Sequence, residues 1–176
     1  MDSYQCWFGE GPELSVLRIL GFFDRPTDEQ ALEAVLKPPA IPGLTESLTG
    51  LSPTEWQMIL ARLRRARLLA GEDPHNPGHV DTHPLVREYF GEQLRSQQVE
   101  GWKEGNRRLY HHYRALVPQL PESVREMEPL FLAIICGCQP IYFATRCMKF
   151  TFRRFSEAIP PLQQRSLGPE EHCFRF

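Results

Sequence analysis

The sequence predicts a mainly α-helical fold with one short β-hairpin, and three observations carry that prediction. Apolar residues recur at helical spacing over most of residues 13–138. Several of these stretches open on recognisable helix-start residues, such as Pro12 and the Ser52-Pro53-Thr54-Glu55 run. Only residues 68–81 carry a strand–turn–strand pattern. The 176 residues are 41% hydrophobic and 24% charged, which suits one globular domain or two small ones and not a disordered tail.

In chain order, Leu14, Leu17, Ile19, Leu20, Phe22 and Phe23 form the apolar face of a first helix over residues 13–23, which Asp24-Arg25-Pro26 ends. Thr27 is expected to cap a second helix, with Gln30 at capping-box spacing and Ala31, Leu32, Val35 and Leu36 on its apolar face. Pro38, Pro39, Pro42 and Gly43 break the chain into a loop. Ser52, Pro53 and Glu55 give the clearest helix start, and Trp56, Ile59, Leu60, Leu63 and Leu68 follow on one side. Leu68-Leu69-Ala70 and His79-Val80-Asp81 read as partner strands around the turn residues 73–78. Thr82 or Asp81 is expected to cap the next helix, with Leu85, Val86, Tyr89, Phe90 and Leu94 inward. Residues 99–116 form an amphipathic helix, Pro118 and Pro121 a linker, and residues 126–138 one more apolar helix.

Three helices, a hairpin and a helix are the order of a winged-helix-like module. The two helices after it read as the first α-hairpin of a TPR-like helical repeat, which cannot bury both of its faces without a neighbour. The expected division is an N-terminal extension (1–11), a winged-helix-like domain (12–97), the start of a helical repeat (98–138) and an aperiodic tail (139–176).

The net charge of −2 gives no general drive toward nucleic acid or anionic membrane. Residues 1–20 lack the basic-then-apolar order of a signal peptide, and the apolar run 129–136 is too short to span a bilayer. Five scattered cysteines suggest reduced thiols and a cytoplasmic protein. Cys136-Gly137-Cys138 is too tight for the usual zinc pair, and prolines keep His75, His79 and His83 off one helix, so no metal site is expected. His111 and His112 read as packing or solvent-facing residues, because no carboxylate lies a turn away to orient either ring.

Taken together, WFGEGPELSVLRILGFFDRP, PPAIPGLTESLTGLSPTEWQMILARLRRARLL, DPHNPGHVDTHPLVREYFGEQL and EGWKEGNRRLYHHYRAL resemble the regulatory region of bacterial STAND proteins. These are signal-transduction ATPases related to the apoptotic and plant-resistance (NB-ARC) ATPases. The resemblance covers about three quarters of the chain. It implies that the winged helix follows an ATPase domain, precedes further repeats, and takes part in sensing bound ADP or ATP. It also implies that Met1 is an internal start in a longer protein. Thr82-His83-Pro84 looks like the family's Met-His-Asp element, although the flanking residues differ from that triplet. His83 would then touch the β-phosphate of ADP, and its place at a helix N-terminus suits an anion. From the residues alone, the favoured reading is that His83 is simply a polar cap residue.

No G-x-x-x-x-G-K-[ST] loop occurs, so the chain is expected to bind no nucleotide cofactor alone and to be no enzyme. Two other classes stay open. Arg62, Arg64, Arg65 and Arg67 on the third helix could face duplex DNA, as in a winged-helix DNA-binding regulator. Alternatively those arginines are solvated or dock on the ATPase domain, which the acidic balance favours. The third class is a helical-repeat scaffold for protein–protein interaction.

Residues 139–176 lose the helical pattern abruptly. Permitted codons for Ile141 onward, read from the third base of Pro140, can spell DLFRDALHEVYIPAIQRGNTAFAAEKLGA. That peptide is helical in pattern and resembles what the family carries at this point. A frameshift in the gene near Pro140 is therefore expected, and with it no function for Cys147, His172 or Cys173.

Overall fold

A computed structural model describes residue 9 and residues 11–76, 78–117 and 123–138. These residues are mainly helical: α1 (Pro12–Leu20), α2 (Glu29–Leu36), a 3-10 turn (Glu46–Leu48), α3 (Pro53–Arg65), α4 (Pro84–Gln97), α5 (Val99–Leu116) and α6 (Glu128–Cys138). No helix among them is long and apolar enough to cross a membrane. The tail at 139–176 lies outside the described residues.

Helix α1 is buried on every side. Its polar residues are buried with partners: Glu13 accepts from Arg62 Nη1 at 3.0 Å, Ser15 Oγ lies 2.8 Å from Ser47 Oγ, and Arg18 Nε donates to Gln93 at 3.4 Å. Those bonds offset the desolvation that burial imposes. The helix stops at Leu20, short of the predicted Phe23, because Gly21 crosses Gly91 of α4 backbone against backbone. A Cβ on Gly21 would stand 2.5 Å from the Gly91 nitrogen, and one on Gly91 would stand 2.8 Å from the Gly21 oxygen. Phe22 leaves the helical face and stacks on Trp102, with centroids 5.0 Å apart and planes at 7°. Gly105 leaves room for that ring.

The cap of α2 is Asp28, whose carboxylate accepts from the Ala31 N–H at 2.7 Å, and not Thr27. Thr27 is engaged elsewhere, since its backbone exchanges two 2.9 Å hydrogen bonds with Val80. The proline-rich loop contributes to the core through Ile41, Leu44 and Leu48 and contains the 3-10 turn, which the sequence pattern does not show. Helix α3 starts on the predicted capping box, with Ser52 N–H donating to Glu55 at 2.7 Å and Glu55 N–H donating to Ser52 Oγ at 3.3 Å. It ends on paired bonds from Arg67 N–H to Arg64 O (2.9 Å) and from Leu68 N–H to Leu63 O (3.0 Å), with Arg67 at φ 57°.

The predicted β-hairpin does not form, and the described residues hold no strand beyond an isolated bridge between Thr27 and Val80. One backbone bond, Ala70 N–H to Asp81 O at 2.9 Å, joins its two intended strands. The reason is competition for one edge. Val80 pairs with Thr27, Thr82 Oγ1 donates to the Leu68 carbonyl at 2.5 Å, and Leu68 and Leu69 enter the core. Each segment therefore meets its neighbour by a single rung. The turn chemistry at 73–76 is present, with Asp73 accepting from His75 N–H (2.9 Å) and Asn76 Nδ2 (2.7 Å).

Helix α4 is capped by His83, not by Thr82 or Asp81, since those two are engaged elsewhere. Val86, Phe90 and Leu94 are buried, but Leu85, expected in the core, is 64% exposed. Gln98 alone separates α4 from α5. Helix α5 has the bounds its amphipathic pattern predicts and packs along α6. One apolar cluster runs from Leu14 through Phe90 and Leu109 to Cys136, continuous across residues 97–98. Arg108 of α5 fastens the two halves. It donates to the carbonyls of Val35 (2.9 Å), Pro39 (2.6 Å) and Lys37 at the end of α2, and to Glu104 (2.8 Å).

Candidate functional site

The residue singled out by the sequence, His83, sits exposed at the start of α4. Its Nδ1 accepts the Leu85 N–H at 3.3 Å. An imidazole that accepts at Nδ1 carries its proton at Nε2, so the ring keeps a donor for an outside acceptor. The backbone offers less than an open helix N-terminus does. Pro84 has no N–H, Leu85 donates to the ring, and Val86 and Arg87 both donate to the His83 carbonyl, at 2.9 and 3.1 Å. An anion here would therefore meet the Nε2–H and the helix dipole, without the free backbone donors that a helix start suggests. The structure shows His83 as the cap of α4 through Nδ1.

The loop before His83 is held firmly. Asp81 accepts from the Thr82 N–H at 2.8 Å and from Arg87, which also reaches the Thr82 carbonyl at 3.3 Å. Leu85, beside the histidine, turns its side chain to solvent.

The four arginines lie on the last turns of α3 or just past its end, and their partners differ. Arg62 pairs with buried Glu13 at 3.0 Å. Arg64 is half-buried, with an Nε that has neither solvent nor a hydrogen-bond partner. Arg65 is exposed on the last turn, and Arg67 lies past the helix end in the left-handed region.

No group of three or more metal-ligating side chains occurs among the described residues, and His75, His79 and His83 form none. His111 and His112 contact Tyr110 and Tyr113 edge-on at 5.3 and 5.1 Å. They line a cleft of about 760 Å³ with Lys37, Glu104, Arg107 and Arg108. Hydrogen bonds from Arg107 and then Arg108 hold the Glu104 carboxyl down to about 2, against burial, which raises it. The sequence does not reveal this cleft, because its walls are about 70 residues apart. A second groove, of about 310 Å³, runs between α2 and α3, floored by Leu32, Leu36, Trp56 and Leu60.

Compared with models of protein families, with curated proteins and with solved structures, the chain matches none.

Proposed function

We propose that this chain is the non-catalytic regulatory part of a STAND-type ATPase, a winged-helix-like module that senses the nucleotide held by an ATPase domain and couples it to helical repeats. The observation that carries the reading is His83: exposed, held as a cap through Nδ1, and retaining an Nε2–H beside exposed Leu85. The Nε2–H would donate to a β-phosphate oxygen of ADP, while Leu85 would meet the ATPase domain. The remaining contacts to the nucleotide would come from that domain.

Coupling follows from connectivity. With only Gln98 between them, α4 and α5 respond to displacement at His83 together, and Gln98 Nε2 anchors the junction to the Gly43 carbonyl at 2.9 Å. A nucleotide shifts such a module only by its differential affinity for two arrangements. ADP contacting His83 favours the docked arrangement.

The test is association of this chain with the separately prepared ATPase domain encoded upstream, with and without ADP. Tighter association with ADP, weakened in His83→Ala, supports the reading. Association indifferent to ADP, or an upstream gene encoding no P-loop ATPase, overturns it. The chain alone should show no ATP hydrolysis above buffer. Salt-dependent retention of duplex DNA, lost in an Arg64→Ala, Arg65→Ala double variant, would replace this reading with a DNA-binding one.

A further inference from the structure

Helices α2 and α5 pack together, and each gives one side to the cleft of about 760 Å³. Gln30, Glu33 and Lys37 recur at helical spacing along α2 and its end, and Glu104, Arg107, Arg108 and His111 do so along α5. Arg108 is committed to the carbonyls at the end of α2. Arg107 gives Nε and Nη2 to Glu104, at 2.7 and 2.8 Å, which leaves Nη1 with no partner among the described residues. The ammonium of exposed Lys37 has none there either. His112 is half-buried in the wall, and its Nε2 has neither solvent nor a hydrogen-bond partner among the described residues. Three cations of the cleft face two carboxylates, and one of these, Glu104, is already held by both arginines. The cleft therefore keeps a positive balance and more donors than the fold uses.

We propose that this cleft binds a dianionic phosphate group of a small soluble molecule, held by Lys37 Nζ and Arg107 Nη1. The donors select the group. An ammonium from one helix and a guanidinium edge from the other suit an acceptor with two charges and three oxygens, whereas a carboxylate offers one charge and two oxygens. The pair with Glu104 already fixes the Arg107 guanidinium, so little side-chain freedom is lost when an anion arrives. The volume falls within the range of small-molecule sites, about 300–1,000 Å³, and leaves space for an organic remainder beside the phosphate. Glu33 stands one turn before Lys37 on the same side and opposes an anion, so it limits the affinity. No lining residue belongs to α4, and the inference is independent of the nucleotide reading of His83.

The test is an NMR titration of the whole 176-residue chain with inorganic phosphate, glucose 6-phosphate, sodium acetate and sodium chloride at matched ionic strength. It is run at about pH 7.5, where a phosphate ester, with a second pKa of about 6, is mostly dianionic. Both phosphates should give saturable shifts at residues 30–39 and 104–112, and acetate and chloride should give none. The Lys37 side chain makes no bond in the described fold, so Lys37→Gln leaves the packing intact. That change should weaken binding at least about fivefold, and Lys37→Arg should keep it within about twofold. Glu33→Gln should tighten it about twofold. Tighter binding of glucose 6-phosphate than of inorganic phosphate assigns the site to phosphorylated small molecules, and the reverse order assigns it to the free ion; both support the proposal. Shifts that never saturate, an equal response to acetate or chloride, or binding unchanged in Lys37→Gln overturns it. So do saturable shifts confined to the start of α4, which would put the phosphate at His83 instead.

Discussion

Helices α1 and α6 are alike in sequence and opposite in surroundings. PELSVLRIL and EPLFLAIICGC are both short, apolar and start at or beside a proline. Helix α1 lies between α4, α3 and the 3-10 turn, and even its Glu13, Ser15 and Arg18 are buried. Helix α6 stands at the edge, on α5, with Phe131 and Ile135 half in solvent. The difference teaches that apolar composition states how much a helix needs to bury, and not how many neighbours it has. In α1 the polar residues are the informative ones, since each has a buried partner. In α6 it is the apolar residues, since two large ones have none on their outer side among the described residues.

The largest expected effect tests the closeness of the α1 crossing. Gly21→Ala puts a methyl group 2.5 Å from the Gly91 nitrogen, where backbone has to move. It should cost at least about 3 kcal/mol in denaturant unfolding. A loss under about 1 kcal/mol would mean that α1 and α4 can separate there, and that the two helices differ less than their packing shows.

Truncation along the two helices sharpens the contrast. Leu17→Ala in α1 should cost about 2–5 kcal/mol, because Leu17 is 1% exposed and nothing can fill its space. Ile135→Ala on the outer stripe of α6 should cost less than about 1 kcal/mol. Similar losses at the two positions, measured by chemical denaturation, would show that α6 is covered in solution as fully as α1.

A smaller loss is expected where α5 is tied to the end of α2. Arg108→Met keeps much of the apolar stem and removes the bonds to the carbonyls of Val35, Lys37 and Pro39. Water can reach two of those carbonyls, so the cost should be about 1–3 kcal/mol. Amide exchange should rise in α2 and α5 more than in α1. Uniform protection would show that Arg108 is not the tie between the halves.

The smallest effect is pH-dependent. Hydrogen bonds from Arg107 and Arg108 hold Glu104 at about 2, below its ordinary 4.5. A lowered folded-state value gives stability that is present above the unfolded value and lost as pH falls through the folded one. Thermal midpoints should therefore decline between about pH 5 and 2, and Glu104→Gln should flatten part of that decline while lowering stability slightly at pH 7. An unchanged acid limb would show that the Glu104 pairs are no stronger than exposed ion pairs elsewhere.

Helix positions are largely legible in the sequence because they depend on local signals. The Ser52–Glu55 box and the amphipathic run of α5 appear where their patterns place them. The caps of α2 and α4 differ from the expected ones for a shared reason. Thr27 and Thr82 are suitable caps locally, but one gives its backbone to Val80 and the other its hydroxyl to Leu68. The hairpin is lost in the same way, since turn chemistry at 73–78 says nothing about Thr27, some 50 residues away, competing for Val80. Leu85 fits the apolar period of α4, yet the helix starts on the face that looks outward. For the candidate site, His83 and its helix-start position are visible in the sequence, whereas the engagement of its Nδ1 and of the neighbouring N–H groups is not.

By itself, the sequence determined the helices, their approximate ends, the absence of a P-loop, and the two apolar segments that need cover. These depend on period, capping and short motifs, which act over a few residues. Tertiary structure decided which side of each helix is covered, where Gly21 and Gly91 let two backbones touch, and how Arg108 joins α5 to α2. It also decided that the four arginines face different surroundings and that His83 keeps one free nitrogen. Those outcomes depend on competition among groups far apart in the chain for the same hydrogen bonds and the same buried space, which local pattern does not encode.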